Sequence, residues 1–276
     1  MFTRSWEYPF RQGIGCNSIS SDDTANFLAF LQELKSQGDF LVTAAVSLFP
    51  FNDETGSPSK DVSGFAEVFD HIVIMNYDVW GAWSSAVGPN APLNDTCAAP
   101  QNQQGSAVSA VAAWTSAGMP ANKIVLGVPA YGHAFAVDPS AAFDGDQLAA
   151  YPPNTGRGAG DSWSDPAGTD ICGNETPAGD TWAFWSLVDA DLLLDDGSAA
   201  PGVPYRFDDC SKTEYIYNVA SGAMISYDGP KAFAAKGEFI KSMGLRGFAM
   251  WEAAGDYNDL LTDSIREAAG FDDCDE

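Results

Sequence analysis

The sequence predicts an α/β fold, a parallel sheet or barrel interrupted by an inserted subdomain, and three observations carry that reading. Strand-length apolar runs alternate with stretches of helical periodicity up to about residue 132, the alternation lapses from 133 to 229, and it resumes from 230 to 276. The chain therefore divides into 1–132, 133–229 and 230–276, with the outer two segments belonging to one parallel unit.

In chain order, Asp22 or Asp23 is placed to cap a helix on which Phe27, Phe30, Leu31 and Leu34 recur at helical spacing. The run from Phe40 to Val46 reads as a buried strand. A short helix near Phe65 leads into a strand from His71 to Asn76, followed by a long loop. A helix with Val108, Val111 and Ala112 on one side stops near Gly118, and the run from Lys123 to Val128 is the next strand. From His133 to Gly229 the composition turns to Gly, Asp, Pro and Ser with scattered aromatics. Beyond it come a helix carrying Ala232, Ala235, Phe239 and Met243, ended by Gly244, a strand from Gly247 to Trp251, and a last helix with Leu261, Ile265 and Ala268. Without the insertion about 180 residues remain, enough for about six strand–helix units of roughly 30 residues each. A closed eight-stranded barrel needs roughly 250.

Composition excludes several functions. At 276 residues and 45% hydrophobic the chain can bury a sizeable core. Its 13 Lys and Arg against 38 Asp and Glu leave a formal charge of −25, which repels nucleic acid and anionic lipid and favours a neutral or cationic partner. No apolar run approaches the roughly 20 residues of a membrane-spanning helix. The segment Met1–Ser5 does not have the charged start and apolar stretch of a secretory signal. Five cysteines without C-x-x-C spacing and only two histidines argue against a zinc site, so no metal or cofactor is expected and disulfides are the better use of the thiols. The sequons at Asn94 and Asn174, close to Cys97 and Cys172, fit an oxidising secretory route.

The candidate chemistry sits at strand ends. Glu7 lies between Trp6 and Tyr8, where poor solvation of its anion would raise its pKa and let it protonate a leaving oxygen, although a solvated carboxylate near a terminus has the same sequence. Tyr77 and Asp78 directly follow a strand, the position at which barrel active sites are assembled; a loop-start Asp capping backbone amides reads the same way. Trp80, Trp83 and Trp251 stand near strand ends and would stack on the C–H faces of sugar rings, or lie buried as most tryptophans do. His71 and His133 read as structural histidines with satisfied partners, outside the chemistry. The acidic tail from Asp272 to Glu276 reads as a solvated end.

Taken in order, these motifs resemble glycoside hydrolase family 18. Trp6-Glu7-Tyr8-Pro9 is similar to the end of that family's Asp-x-x-Asp-x-Asp-Trp-Glu-Tyr-Pro signature on the fourth barrel strand, and Met75-Asn76-Tyr77-Asp78 to its Met-x-Tyr-Asp on the sixth. Gly81-Ala82-Trp83 with Asn90-Ala91-Pro92-Leu93 resembles the loop that follows, Gly127 to Gly132 the seventh strand, and Met250-Trp251 the eighth. The resemblance implies an incomplete TIM (β/α)8 barrel without its first three strands, with an α+β chitinase insertion domain over 133–229. It also implies a secreted, extracellular chitinase that cleaves β-1,4-linked N-acetylglucosamine polymers by substrate-assisted retention, in which the sugar's acetamido oxygen attacks its own anomeric carbon.

By that resemblance Glu7 is the general acid, Tyr77 hydrogen-bonds the acetamido group, and Asp78 helps hold the distorted sugar. Trp251 floors the central subsite, Met75 lines it, Trp83 stacks on the leaving-group side, and Tyr8 and Tyr131 complete the substrate-binding set. Chitin or chito-oligosaccharides are the implied partners, and related activity on N-glycans shares the same strand motifs. The pattern departs where Ser5 and Thr3 stand at two motif Asp positions. Loss of a preorganised charge partner typically costs roughly 3 kcal/mol, a hundredfold or more in rate, so hydrolysis by this chain is expected to be impaired. A non-catalytic sugar-binding protein is the competing reading. The expected disulfides are Cys172 with Cys210 and Cys16 with Cys97, leaving Cys274 over.

Overall fold

A computed structural model describes residues 2–4, 6–13 and 15–271, so that Ser5, Cys274 and the acidic tail lie outside the described residues. The barrel part begins with strand β1 (Phe2–Arg4), helix α1 (Asp23–Ser36), strand β2 (Val42–Val46), helix α2 (Ser63–Val68), strand β3 (His71–Ile74), helix α3 (Ala107–Ser116) and strand β4 (Ile124–Pro129). These strands join β15 (Gly247–Trp251) in a five-stranded parallel sheet of order β1-β2-β3-β4-β15. The register is regular, Ala45 opposite Val73, Val73 opposite Val125, Val125 opposite Gly247 and Gly127 opposite Ala249. Because side chains alternate along a strand, Ile72, Ile74 and Leu126 are fully buried in the main core, while Ala45, Val73 and Ala249 line a cavity.

The core beneath the sheet is aromatic. Phe27, Phe51, Phe65 and Phe69 pack together, and Phe51 meets Trp114 edge to face at 5.3 Å. Trp114, wholly buried, satisfies its indole N–H on the Ser47 carbonyl at 3.0 Å. Helix α3 starts on a reciprocal cap in which Ser106 and Ser109 each accept the other's backbone N–H, and Asp95 accepts the Ser106 hydroxyl at 2.9 Å. Its buried face is Ala107, Ala110, Val111 and Trp114 rather than the expected one, since Trp114 takes the core position and Ala112 is exposed. At α1 the side chain of Asp22 makes no cap bond; Asp23 instead accepts the amides of Ser20 and Phe10 at 2.9 and 3.2 Å.

Between β4 and β15 the chain builds an antiparallel unit. Strands β5 (Tyr131–Ala136), β8 (Gly156–Arg157), β11 (Thr181–Ala183), β12 (Tyr205–Asp208), β13 (Thr213–Asn218) and β14 (Ala223–Tyr227) form one sheet, joined by two small hairpins, β6 (Phe143–Asp144) with β7 (Gln147–Leu148) and β9 (Gly168–Thr169) with β10 (Glu175–Thr176). Helix α4 (Phe184–Asp189) follows β11, and α5 (Pro230–Met243) packs on α6 (Leu260–Ala269) at the end of the chain. A second core of Trp80, Val87, Phe135, Tyr215, Tyr217 and Met224 serves this unit.

One disulfide joins Cys97 to Cys210, with Cα atoms 5.9 Å apart, which overturns the expected pairing of Cys172 with Cys210 and of Cys16 with Cys97. The reason is the path of the loop after β3, which lies against the turn between β12 and β13, where Leu93 N–H donates to the Ser211 carbonyl at 2.8 Å.

The junction between sheet and helix α5 holds a wholly buried ion pair, Lys236 with Asp228. Burial drives the Asp228 carboxyl up and the Lys236 ammonium down, each opposed by the other. This pair corrects the expected face of α5, which buries Ala232, Phe233, Lys236, Gly237 and Ile240 and leaves Met243 exposed. Nearby Glu214 is held at a pKa of about 7 by burial and then by the Asp228 charge. Lys236→Met, which strands the Asp228 charge, is expected to lower the unfolding free energy by about 3–5 kcal/mol, and Asp228→Asn with Lys236→Met to recover most of it, measured by denaturant titration. Glu214 has a raised folded-state pKa, so its contribution is complete below about pH 4.5 and lost as pH rises through 7. Wild type should lose on the order of 2–3 kcal/mol more than Glu214→Gln over that window in urea melts.

Candidate active site

The C-terminal ends of the parallel strands open into a cavity of about 730 Å³. Its wall takes Glu7, Tyr8, Arg11 and Gly13 from the segment after β1, Ser47 and Phe49 after β2, Met75, Tyr77 and Asp78 after β3, Tyr131 from β5, and Met250 and Trp251 from β15. Seven of the eight residues expected from sequence, Glu7, Tyr8, Met75, Tyr77, Asp78, Tyr131 and Trp251, thus meet in one cleft. Trp83 does not line it. It stands 60% exposed beside the cleft, its ring edge-on to His133 at 5.2 Å. Trp80 is a core residue, 6% exposed and packed on Tyr151, and so offers no stacking surface.

Two glycines are required by close backbone approaches. A side chain at Gly13 would strike the Glu7 carbonyl, so the chain folds back over Glu7 only without one. At Gly127 an added Cβ would meet the Tyr77 ring at 3.1 Å and the Ile74 carbonyl closer still, so the bare backbone of β4 gives Tyr77 its place.

Asp78 is held through both its backbone and its side chain. Its backbone is left-handed, φ 56°, and its N–H donates to the side-chain oxygen of Asn90 at 2.8 Å. Wholly buried Asn90 also donates to the Tyr131 carbonyl at 3.0 Å, so one amide locks the β3 loop to the first residue of β5. The Asp78 Oδ1 accepts the Tyr131 hydroxyl at 2.6 Å and faces His133 Nε2 at 2.9 Å, while its side chain is half exposed. Among the described residues no hydrogen bond is made to Oδ2.

Behind His133 lies a charge relay. Its Nδ1 makes an ion-pair contact with Asp180 at 3.3 Å, and Asp180 accepts Arg157 at 2.6 Å and the Ala82 N–H at 3.1 Å. Burial opposes the imidazolium, but Asp180 and Asp78 on either side outweigh it and hold its pKa at about 9. Burial also tends to neutralise Asp180, and His133 and Arg157 overcome that and keep its carboxyl below the ordinary range. Burial raises the phenols of Tyr77 and Tyr131, with Asp78 adding to both, so they are hydrogen-bond donors at any working pH. Arg11 lies over the Tyr8 ring at 4.5 Å and is the one cation among the described lining residues.

Sequence reasoning placed His133 outside the chemistry, whereas it touches Asp78. The available signal was period two, because Tyr131 and His133 share a face of β5. Asp180, Arg157 and Asn90 come from loops and short strands without periodicity. His71, half-buried at the start of β3, has no partner at Nδ1 among the described residues, contrary to the satisfied histidine expected, and burial lowers its pKa. Among the described residues there is no cluster of three or more His, Cys, Asp or Glu able to hold a metal ion, and no helix long and apolar enough to cross a membrane.

A cleft of acids and aromatics at the C-terminal ends of parallel strands, with Tyr131 of an antiparallel unit in its wall, is the arrangement of glycosyl hydrolases built on the TIM barrel. The model of glycosyl hydrolases family 18 matches residues 5–256, and the chain belongs to that family. It is 61% identical over 272 residues to a chitinase-like effector of Moniliophthora roreri, covering 97% of this chain and 66% of the relative. It is 51% identical over 273 residues to a chitinase-like effector of Moniliophthora perniciosa, covering 96% and 62%. The chain thus spans a little under two thirds of the length of these relatives. The crystal structure of a chitinase from Rhizomucor miehei superposes with a TM-score of 0.85 at 29% identity, over 97% of this chain and 72% of that one.

A folded-state pKa of about 9 means that the His133 contribution to stability is complete below about pH 6.5 and lost as pH rises through 9. Between pH 7 and 10 wild type is expected to lose about 2–3 kcal/mol more unfolding free energy than His133→Gln, read from chemical denaturation at each pH.

Proposed function

We propose that the cleft binds oligomers of β-1,4-linked N-acetylglucosamine and that the chain retains the family's acid and aromatic residues with hydrolysis severely impaired. The observation that carries this reading is the meeting of Glu7, Tyr77, Asp78, Tyr131 and Trp251 in one cavity, while Ser5 and Thr3 stand at the motif's Asp positions. Trp251, 60% exposed, supplies a face for a sugar ring, and the tyrosine phenols supply neutral donors.

In this reading Glu7 protonates the leaving oxygen, Tyr77 donates to the acetamido group, and Asp78 holds the distorted ring through Oδ2. Trp251 floors the central subsite, Met75, Tyr8 and Tyr131 line it, and Trp83 stacks on the sugar leaving the cleft. With Ser5 in place of the motif Asp, charge developing on the acetamido group loses a carboxylate partner from that position. The division into a barrel part over 1–132 and 230–276 with a chitinase insertion over 133–229 belongs to the same reading. So does passage through an oxidising secretory route, which the Cys97–Cys210 disulfide supports.

A second reading, a sugar-binding protein with no hydrolysis at all, is favoured by the same two substitutions and by the name chitinase-like effector given to both Moniliophthora relatives. Calorimetry with chitotetraose and a reducing-sugar assay separate the outcomes. Binding that weakens at least tenfold in Trp251→Ala is expected, with sugar release at least a hundredfold slower than in Ser5→Asp and abolished by Glu7→Gln. Binding with no release in any variant selects the second reading. Absence of binding, or Glu7-dependent turnover that Ser5→Asp leaves unchanged, overturns the first.

A further inference from the structure

Trp83, the one residue of the expected site that does not line the cavity, sits in a turn from Gly81 to Ser84. The turn closes on itself, the Ser84 N–H donating to the Gly81 carbonyl at 2.8 Å and the Ser84 hydroxyl accepting the Gly81 N–H at 3.3 Å. The antiparallel unit holds it from outside. Asp180 accepts the Ala82 N–H at 3.1 Å, and the side-chain amide of Asn154 donates to the Ala82 and Ser84 carbonyls at 3.2 and 2.8 Å. Asn154 is itself fixed. Its side-chain oxygen accepts the N–H of Gly156, the first residue of β8, at 3.0 Å, and its own N–H donates to the Ser85 carbonyl at 3.0 Å. Directly before it, Pro153 pairs with Ala86 and the Pro152 carbonyl accepts the Val87 N–H at 2.9 Å, so two prolines of restricted backbone brace the same strip.

The indole is as constrained as the turn. A methyl group added at Gly81 would lie 2.3 Å from the Trp83 ring, so the ring folds back over bare backbone. On another side it meets His133 edge-on at 5.2 Å, which leaves Trp83 60% exposed. His133 touches Asp78, so the indole stands one side chain away from the cleft. Asp180 serves both, since the carboxylate oxygen that takes the Ala82 N–H also faces His133 Nδ1 at 3.3 Å. An exposed indole on a fixed backbone loses little freedom when the apolar face of a ligand settles on it.

We propose that Asn154 and Gly81, neither of which lines the cavity, are positioning residues for Trp83: Asn154 holds the turn, Gly81 leaves room for the ring, and together they present the indole to a sugar ring at the rim of the cleft. The inference rests on the sugar-binding reading of the cleft. It separates two ways of losing the platform. Gly81 does not have a left-handed backbone, and the three atoms nearest an added methyl all belong to the Trp83 ring, so Gly81→Ala displaces the indole and leaves the turn in place. Asn154→Ala removes two bonds to the turn and leaves the ring's own surroundings unaltered.

The test combines calorimetry with chitohexaose and fluorine NMR of the full chain labelled with 5-fluorotryptophan, the Trp83 line being the one that Trp83→Phe removes. Trp83→Ala is expected to weaken binding about tenfold, and Gly81→Ala and Asn154→Ala each about fivefold or more. In the Trp83→Ala background the same two substitutions should change affinity by less than about twofold, because their effect runs through the indole. Without sugar, the Trp83 line should move toward the position of free fluorotryptophan in both variants while the lines of buried Trp80 and Trp114 stay in place, which reports that the fold is intact. An unmoved Trp83 line, unchanged affinity in Gly81→Ala and Asn154→Ala, or an equal loss with and without Trp83 overturns the positioning role and leaves the reading of the cleft standing. Wild type that fails to bind chitohexaose refutes that reading itself, and the role of Trp83 falls with it.

Discussion

The molecule turns on Ala130, the single residue between the parallel strand β4 and the antiparallel strand β5. It is wholly buried, its N–H donates to the Trp251 carbonyl at 2.8 Å, and its carbonyl accepts the Phe184 N–H at 2.9 Å. Two buried peptide groups are thereby satisfied where the chain changes sheets, which a longer connection would have to arrange with extra residues. Two parts of the cleft and helix α4 consequently share one anchor. Trp251 ends β15 on it, Tyr131 leaves from it, and helix α4 starts against it. The spacing between Trp251 and Tyr131 is set by backbone bonds rather than by side-chain packing alone.

From that anchor the electrostatics of the site follow. Tyr131 and His133 leave Ala130 on one face of β5 and both meet Asp78, and the antiparallel unit answers with Asp180 and Arg157 behind the imidazole. The antiparallel unit is thus part of the site's charge balance and, through Tyr131, of its wall. An Asp in a left-handed turn, half exposed, keeps a fixed orientation because one oxygen is occupied and its own amide is taken by Asn90.

Much of this was legible in the residues. The parallel strands announced themselves as short apolar runs, and the acid, tyrosine and tryptophan at their ends were identifiable as a group because strand ends converge in a parallel sheet. Three things were hidden, each for a physical reason. The buried face of α5 includes Lys236, which hydropathy assigns to solvent and which only its partner Asp228 permits inside. The relay behind His133 draws on Asp180 and Arg157, polar residues in a region whose short strands carry no readable period. The cysteine partners depend on where two long loops come to rest, and spacing along the chain says nothing of that.

The parallel sheet ends, among the described residues, at β1 on one side and β15 on the other. Edge strands that have no neighbour on one side among the described residues carry amides and carbonyls that can pair with a strand of another molecule. Two copies approaching to do so each bring a formal charge of −25, and the work of bringing such charges together rises steeply as they close and falls as salt is added. The surplus of Asp and Glu therefore acts as a colloidal barrier between sheet edges, one whose height is set by the ionic strength around the protein.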